Sequence, residues 1–471
     1  MNTPSLMSAL AAHCSEAAAP SQGGSAAVQR AKECVLDLVA LAIGGSRTEV
    51  GRLALRSKLS RSFQVDSDST GCSILGERAR LSPSDAAGLN GLLGHALQCD
   101  DGMRRAHGHP GIAVIPAALA SAEASAASGR RFLSGIIGGY EVFARVGAAI
   151  NPEHLSQGFH PSGTVGAIAA AAAATLVLDD GAVKALENAM ALAGSVSGGL
   201  MEYSHYGDMS SYFVGGNAAR IGVDAAFLAR EGMAGPLTIL EGKYGMAAAM
   251  ANGALRHAEI ASPDPHGPKI LQTYTKLFSS CRHTHGAIEA ALSLRKAIHS
   301  VDEVETVRVE VYRIAADECD RPVVTSLPGA ESSLQLTVAA ALVHGDLSLA
   351  ERSYTRYRDE RVRALAQRVV VVHDPTLDEA LPESRPARVL VTTPSEGTMK
   401  AEVDLPRGEP ERPLSWGELT AKAWTACSDV LDRDQFVRLE DAVASLETAT
   451  SLRQLADAAT PCRQPGANEY H

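Results

Sequence analysis

The first segment that could carry chemistry is a loop rich in histidine and glycine, HGHPG, at residues 107–111. Two carboxylates, Asp100 and Asp101, stand a few residues before it. A histidine titrates near neutral pH and can exchange a proton, and a nearby carboxylate can fix its tautomer. This makes His109 and Asp101 candidate functional residues, although a polar surface loop without function fits the same letters. A metal site on the two histidines is disfavoured, since no further ligand cluster accompanies them.

The second segment, GFHPSGT at residues 158–164, leads into a predicted helix. Ser162 and Thr164 are of the type that caps helices, and the first backbone N–H groups of such a helix could face an anion. His160 beside them could hold a substrate carboxylate or move its proton. A capped helix with a packed histidine explains these residues equally well.

The third segment, KLFSSCRHTH at residues 276–285, gives the strongest local signal. It places several cations and proton carriers immediately before a predicted helix. Lys276 and Arg282 can bind carboxylates, and Cys281 at a helix start could have a lowered pKa. His285 completes the segment. A basic, solvated turn is the simpler alternative, and so dense a group favours function over it.

Other function classes find little support in the sequence. It contains no GxGxxG motif after a strand and no Walker A motif, so nucleotide cofactors are not indicated. The GxSxG motif of serine hydrolases is also absent. We therefore expect an enzyme that needs neither a metal ion nor an organic cofactor.

Composition narrows the choice further. The 471 residues carry a formal net charge of -11, and aromatic residues make up 4%, which argues against a nucleic-acid partner. The eight cysteines form no CxxC pair and favour a reducing compartment. No convincing signal peptide opens the sequence, and the apolar run at 167–178 is short for a membrane span and reads as a buried helix. We expect a cytoplasmic protein without a membrane partner.

The elements that must position these segments divide into three regions. Helical periodicity predicts a helix over residues 31–45 that ends at a Gly pair. It predicts further helices around the following ranges: 84–99, 112–126, 132–150, 164–178, 183–197 and 216–231. After the Pro-rich stretch 262–269, a helix at 284–299 precedes predicted strands at 304–312 and 368–374. The segment 387–405 is predicted to form a hairpin turning at 394–397. Helical patterning returns from Ser415 to about Ala458.

The predicted fold is therefore mainly α with an inserted α+β domain. A helical domain at 1–268 is followed by an α+β domain at 269–407. C-terminal helices at 408–458 would pack on the helical domain, and a tail at 459–471 is expected to be disordered. A cleft between two such domains is a usual place for a small-molecule site.

Taken together, the three segments resemble the MmgE/PrpD family. The resemblance is carried by GLLGHALQCDDG, HPGIAVIPAALA, GFHPSGTVGAIAAAAAA, GGNAARIGVDAAFLA, LEGKYGM and SCRHTHGAIEAAL, and it extends over most of residues 30–450. That family includes 2-methylcitrate dehydratase, cis-aconitate decarboxylase and iminodisuccinate epimerase. It implies a helical domain with a smaller α+β lid, a homodimer, and a small carboxylate substrate.

The resemblance also implies roles for individual residues. His109, His160, Lys276 and Cys281 occupy positions of the family's catalytic motifs, and His285 matches a later histidine. With Asp101, Ser162 and Arg282, His285 is expected to bind substrate. Three positions depart from the decarboxylase pattern: Gln98 stands for an acidic residue, Gly102 for a threonine, and Ser211, a further candidate for substrate binding, for a lysine.

The leading hypothesis is a lyase that dehydrates or decarboxylates a small di- or tricarboxylate by proton transfer at carbon next to a carboxylate. One alternative is an epimerase or isomerase of a small dicarboxylate that uses two bases, such as Cys281 and a histidine. The other is a homologue that binds carboxylates and has lost the chemistry. Because of the departures at Gln98, Gly102 and Ser211, the exact substrate stays open.

Overall fold

A computed structural model describes residues 5–19, 26–59, 71–178, 183–263, 266–349 and 354–462. The chain divides into two compact units. The first, here called the helical unit, comprises residues 1–201, 212–273 and 415–471; the second, the α+β unit, comprises 202–211 and 274–414. The tail expected to be disordered lies, from residue 463 onward, outside the described residues.

The α-helices of the described chain are these, in order: α1 Leu6–Ala18, α2 Ala26–Gly45, α3 Glu49–Leu59, α4 Pro83–His95, α5 Gly111–Ser125, α6 Gly129–Ile150, α7 Glu153–Ser156, α8 Pro161–Leu178, α9 Val183–Val196, α10 Tyr203–Tyr206, α11 Ser210–Arg230, α12 Met246–Met250, α13 His257–Ala261, α14 His285–Arg295, α15 Arg313–Cys319, α16 Leu327–Glu331, α17 Leu334–His344, α18 Tyr354–Arg358, α19 Glu360–Ala366, α20 Pro375–Asp378, α21 Trp416–Cys427, α22 Arg433–Ala444 and α23 Arg453–Ala458. The strands are β1 Cys72–Ser73, β2 Arg80–Leu81, β3 Gly102–Met103, β4 Thr273–Tyr274, β5 Thr306–Val311, β6 Val369–His373, β7 Ala387–Thr393 and β8 Gly397–Val403. The predicted fold class, mainly α with an α+β part, is confirmed.

The core of the helical unit forms around α8, which packs against α5, α6 and α9. Residues 167–174 of α8 are Ala and Ile only, and all of them are buried. Small side chains let neighbouring helices approach closely, so this run is a core helix, as predicted from its length. The helices α6 and α8 are long and apolar enough to cross a membrane, but 89% of each apolar window is buried inside the protein, as in a core helix.

The C-terminal helix α21 packs against α2 within the helical unit. Gly44 of α2 makes this possible, because a Cβ atom there would lie 1.8 Å from the carbonyl oxygen of Ala426. Next to this crossing, Lys422 of α21 forms a buried ion pair with Asp37 of α2, with Nζ 2.7 Å from Oδ1. The end of the chain is thereby attached to one of its first helices.

The α+β unit is built on a four-stranded sheet in the order β6-β5-β7-β8. Strands β5 and β6 are parallel, whereas β7 pairs antiparallel with both β5 and β8. Strand β5 alternates as its sequence predicts: Val307, Val309 and Val311 are fully buried. They share a core with α14 and α17. The predicted hairpin is confirmed, with β7 and β8 paired from Ala387–Val403 to Thr393–Gly397.

Candidate functional site

The helical unit brings three histidines together: His95 at the end of α4, His109 before α5, and His160 before α8. We call them the histidine cluster. The ring centroids of His95 and His109 are 5.4 Å apart. His109, His95 and Asp100 all act electrostatically on His160, and the rings of His95 and His109 lie beside the carboxylate of Asp100.

Asp100 is fully buried and lies between two of these rings. Its Oδ1 is 2.8 Å from Nδ1 of His95, and its Oδ2 is 3.2 Å from Nδ1 of His109. A carboxylate in this position orients an imidazole and stabilises the cation that forms when the ring takes up a proton. Asp100 can therefore support proton transfer by a neighbouring histidine.

The tautomer of His109 follows from its backbone partner. Its Nδ1 lies 2.6 Å from the carbonyl oxygen of Asp101. Because a carbonyl only accepts hydrogen bonds, Nδ1 carries the proton, and in the neutral ring Nε2 carries the lone pair. The His109 side chain is 17% exposed, whereas Asp100 beside it is sealed. Of these two groups, only the His109 ring is partly exposed.

His160 has the opposite tautomer. The backbone N–H of Ser162 donates to its Nδ1 at 3.1 Å, so that nitrogen holds a lone pair and Nε2 carries the proton. Burial, reinforced by the neighbouring histidines His109 and His95, holds the pKa of His160 well below its usual range. The ring is therefore a neutral hydrogen-bond donor.

The start of α8 corrects one expectation from the sequence. The N–H groups predicted to face an anion are already used: that of Ser162 binds the His160 ring, and those of Gly163 and Thr164 donate to the His160 carbonyl. The Ser162 hydroxyl accepts from the backbone N–H of His109 at 2.9 Å. Ser162 thus links the two loops that carry the histidines.

Asp101 has mainly structural contacts. Its Oδ1 accepts from the backbone N–H of Gly111 at 3.0 Å, and its Oδ2 accepts from the Tyr140 hydroxyl. Gly111 has no room for a side chain, because a Cβ atom would lie 2.7 Å from that Oδ1. Burial raises the pKa of Asp101 to about 6, against the lowering effect of the Tyr140 hydrogen bond. The substrate-binding role predicted for Asp101 remains a prediction.

The α+β unit holds the third predicted segment. Cys281 precedes a 3₁₀ helix, Arg282–Thr284, that runs directly into α14. Lys276 is buried and acts electrostatically on Cys281, as does Arg321. The neighbouring thiol of Cys319 contributes most to holding the pKa of Cys281 below its usual range, against burial, which raises it. This segment therefore combines a buried cation with an acidic thiol.

The guanidinium group of Arg282 is hydrogen bonded to side chains within the α+β unit. Its Nη2 donates to Oε1 of Glu409 at 2.5 Å, and both side chains are buried. Its Nη1 donates to Nδ1 of His285 at 3.0 Å, so neutral His285 carries its proton on Nε2. The guanidinium group also lies over the ring of Tyr274. These contacts favour a structural role for Arg282 over the predicted substrate binding.

Ser211 is the second residue of α11, is 3% exposed, and its Oγ has no hydrogen-bond partner among the described residues. The next residue, Tyr212, packs its ring edge against His95. Two other residues depart from the decarboxylase pattern. Gln98 lies between α4 and Asp100 and adopts a positive φ of 52°. Gly102 lies in β3.

Sequence reasoning missed several residues of this region. His95, five positions before Asp100, stands in the stretch GLLGHALQCDDG that carries the resemblance, and its spacing to the carboxylate was an available signal. Lys422 and Tyr140 come from distant helices, and local sequence gave no sign of them. Among the described residues, no group of three or more His, Cys, Asp or Glu side chains is placed to hold a metal ion.

Two family models match the chain. The MmgE/PrpD N-terminal domain matches residues 8–258, and the MmgE/PrpD C-terminal domain matches residues 278–448. The histidine cluster lies inside the first range and Cys281 inside the second, whereas Lys276 falls between the two. The matches thus cover most of the chain.

Several curated relatives are similar over nearly the whole length. The cis-aconitate decarboxylase-like protein oryM of Aspergillus oryzae is 28% identical, covering 91% of this chain and 92% of the relative. The human cis-aconitate decarboxylase is 28% identical, covering 89% and 87%. That of Aspergillus terreus strain NIH 2624 is 27% identical, covering 91% and 90%.

Proposed function

The chain belongs to the MmgE/PrpD family, and on this premise we propose that it is a lyase that dehydrates or decarboxylates a small di- or tricarboxylate. The names of its relatives support a lyase at the level of the family. The proposed reaction transfers a proton at carbon next to a carboxylate, using side chains alone.

The observation that carries the proposal is the tautomer of His109. Its Nδ1–H is fixed by the carbonyl of Asp101, which makes Nε2 the basic nitrogen. In a dehydration, Nε2 removes the proton next to the substrate carboxylate, the C–O bond of the substrate hydroxyl breaks, and the departing oxygen takes up a proton and leaves as water. In a decarboxylation, the C–C bond to the carboxylate breaks, carbon dioxide leaves, and the protonated ring gives its proton to the carbanion that remains. In both reactions the carboxylate of Asp100 stabilises the protonated ring of His109.

His160 has a complementary role in the proposal. As a neutral Nε2–H donor it can bind an oxygen on which negative charge develops, without giving up its proton. Because Ser162 N–H fixes the ring, no reorientation is needed during the reaction. His109 and His160 thus act as base and electrostatic stabiliser respectively.

In the α+β unit, we assign binding of the substrate carboxylate to the amine of Lys276, which is a buried residue. Arg282 is the weaker candidate since Glu409 already pairs with it. Replacing Lys276 by Met should raise KM for an anionic substrate, whereas Arg282→Lys should mainly lower thermal stability.

Turnover assays test the proposal directly. The purified protein would be offered cis-aconitate, citrate and 2-methylcitrate, with carbon dioxide release and loss of water followed separately. We expect turnover of one of them by the native protein and loss of at least about 10²-fold in kcat for His109→Asn. His107→Asn is the matched control, because His107 lies in the same loop at a positive φ of 53°, which Asn tolerates. Inactivity on all three substrates would remove the tricarboxylate assignment.

An epimerase is the second candidate, and the acidic thiol of Cys281 favours it. A thiolate can act as one of two bases that exchange a proton at a single carbon. In deuterium oxide such an enzyme incorporates deuterium into a dicarboxylate without releasing water or carbon dioxide. Deuterium incorporation that survives in Cys281→Ala would rule out Cys281 as one of the bases.

We also propose a homodimer, as the family resemblance implies. Two large apolar side chains of the helical unit, Phe213 and Tyr244, are 59% and 84% exposed, and each is available for contact with a second copy. Light scattering on the purified protein would give the mass; a monomer at all concentrations contradicts this proposal.

A further inference from the structure

A buried histidine outside the histidine cluster is hydrogen bonded to the helix that follows His160. His154 belongs to the short helix α7 and is fully buried. Its Nε2 is 2.9 Å from the hydroxyl oxygen of Thr164, a fully buried residue in the first turn of α8. That hydroxyl is also 3.2 Å from the backbone carbonyl oxygen of His160. The imidazole of His154, the Thr164 hydroxyl and the His160 carbonyl therefore form one hydrogen-bonded chain.

The direction of this chain follows from the number of hydrogen bonds that each arrangement makes. If Nε2 of His154 carries the proton, it donates to Thr164, whose hydroxyl then donates to the His160 carbonyl. If Nδ1 carries the proton, the hydroxyl donates to Nε2 instead, and the Nδ1–H has no acceptor among the described residues. A buried N–H without an acceptor is costly, so the first arrangement is favoured.

His154 is neutral at pH 7, as this arrangement requires. Burial lowers the pKa of its imidazole to about 4. The ring also packs against that of Phe159, with the two centroids 5.6 Å apart, and apolar surroundings favour the uncharged form. A neutral histidine has a single ring N–H, and here it is the Nε2–H that faces Thr164.

The backbone of His160 is held on both sides. Its N–H donates to the carbonyl oxygen of Gly199 at 3.0 Å, and its carbonyl accepts from the backbone N–H groups of Gly163 and Thr164 as well as from the Thr164 hydroxyl. The backbone donors are present with almost any side chain at position 164, whereas the hydroxyl donor requires a serine or a threonine. The link from His154 through this hydroxyl is therefore the part of the support that depends on side chains.

We propose that His154 and Thr164 are positioning residues for His160. The hydrogen-bonded relay from His154 through the Thr164 hydroxyl holds the His160 carbonyl, and with it the loop that directs the ring. Neither side chain is assigned a contact with substrate. Their role rests on the function proposed above, because a donor that stabilises charge in a transition state must already be in place when the reaction begins.

Thr164→Val tests the relay with little change of shape, because a methyl group replaces the hydroxyl. On a substrate that the native protein turns over, we expect kcat to fall about 10-fold or more and KM to change less than about 3-fold, since a misplaced donor affects the reaction more than binding. Thr164→Ser keeps the hydroxyl and should retain most of the native kcat.

Thr175→Val is the matched control within the same helix. The Thr175 hydroxyl is also buried and donates to a carbonyl four residues earlier, that of Ala171, at 2.8 Å. It repeats the bond between Thr164 and His160 without a histidine as second partner among the described residues. We expect Thr175→Val to lower the melting temperature and to leave kcat unchanged.

Two variants of His154 test the other end of the relay. His154→Gln keeps an N–H near the position of Nε2 and should retain more activity than His154→Phe, which fills the space without a donor. Because the relay acts as a unit, combining His154→Phe with Thr164→Val should lower kcat hardly more than Thr164→Val alone. Combining His154→Phe with Thr175→Val should give the effect of His154→Phe alone.

The ring nitrogens provide a readout that does not depend on turnover. In protein labelled with 15N-histidine, nuclear magnetic resonance should show the Nε2–H tautomer for both His154 and His160, each assigned from the spectrum of its Gln variant. Thr164→Val should give a mixture of tautomers at His154, whose Nε2–H has lost its acceptor, and should shift the signals of the His160 ring. Thr175→Val should leave both rings unchanged.

Two results would overturn the proposal. The first is an Nδ1–H tautomer of His154 in the native protein. The second is a Thr164→Val variant that melts at a lower temperature but keeps the native kcat and the native His160 ring signals, because the two residues would then only stabilise the fold. If no substrate is turned over, the proposed function fails, while the nitrogen signals still decide whether the relay holds His160.

Discussion

The backbone N–H of Ser162 donates a hydrogen bond to Nδ1 of His160, and this contact fixes which ring nitrogen can serve the substrate. His109 is fixed in the other tautomer by the carbonyl of Asp101. Two histidines that look interchangeable in the sequence therefore differ in tautomer: Nε2 holds a lone pair in neutral His109 and carries the proton in His160. The first predictions concern this difference.

The donor role of His160 predicts an order of activity among amide variants. His160→Gln should keep more activity than His160→Asn, because the Gln amide N–H can reach the position of Nε2. Asn can replace only the acceptor at Nδ1, and loss of the donor should lower kcat by about 10²–10³-fold. Melting temperatures would show that both variants fold. Equal activity of the two variants, or an Asn variant that is the more active, would contradict the assignment.

Asp100→Asn tests the support that the base receives. We expect the variant to fold, because an amide has nearly the shape of the carboxylate, and to lose about 10²-fold or more in kcat since the imidazolium of His109 is no longer stabilised. Asp101→Asn is the comparison, since its side-chain oxygens contact Gly111 and Tyr140 instead of the rings. Loss of similar size in both variants would mean that the effect is structural.

Asp101 predicts a pH dependence of stability. Burial raises the pKa of Asp101 to about 6 in the folded protein, while an unfolded chain keeps about 3.9. The folded state therefore binds more protons between these values, and the contribution of Asp101 to the free energy of unfolding falls as pH rises from about 4 through 6. At most, about 3 kcal/mol is lost above pH 6.

The measurement is chemical denaturation of the native protein and of Asp101→Asn from pH 4 to 7.5. Asn keeps the acceptor for Gly111 and is uncharged, so other titrating groups largely cancel in the difference. The stability of the native protein should decline relative to the variant as pH rises. A difference that is constant, or that changes in the opposite direction, would show that Asp101 is ionised throughout.

Much of the fold was predictable from the sequence because it depends on local patterns. Helix α2 ends at its Gly pair, and the alternation of β5 and the turn chemistry of the β7–β8 hairpin were visible as well. The parallel pairing of β6 with β5 could not be predicted, because packing throughout the core determines which strands become neighbours in a sheet. The same holds for the segment 202–211, which belongs to the α+β unit although the helical unit surrounds it in sequence.

For the candidate site, residue type was predictable and residue state was not. The letters HGHPG and GFHPSG marked His109 and His160 as candidates. Their tautomers depend on a carbonyl and a backbone N–H whose directions only the folded loops define. For Arg282 the sequence suggested the wrong partner. Its guanidinium group was predicted to bind substrate, but in the folded chain it is hydrogen bonded to Glu409, 127 residues away.

The buried pair of Lys422 and Asp37 predicts a large and non-additive loss of stability. Both side chains are about 5% exposed or less. Lys422→Met leaves an uncompensated carboxylate and should cost about 3–5 kcal/mol, as should Asp37→Leu, whereas the double variant should cost much less than their sum. Lys400→Met, at an exposed pair with Glu402, is the control and should change the free energy of unfolding by about 0.5 kcal/mol or less. Additive single effects would show that the ion pair itself contributes little.

Ser211 gives the sharpest test of how this chain departs from the decarboxylase pattern. Its Oγ is buried without a partner among the described residues, so Ser211→Ala should leave the melting temperature unchanged or raise it. If the hydroxyl binds substrate, as the sequence predicts, KM should rise about 5-fold or more while the protein stays equally stable. Ser210→Ala is the matched neighbour: its hydroxyl donates to Asp208 at the exposed start of α11, so its loss should lower stability slightly and leave KM alone. A Ser211→Ala variant that loses stability at constant KM would make Ser211 a packing residue, and the altered position would then no longer bear on substrate choice.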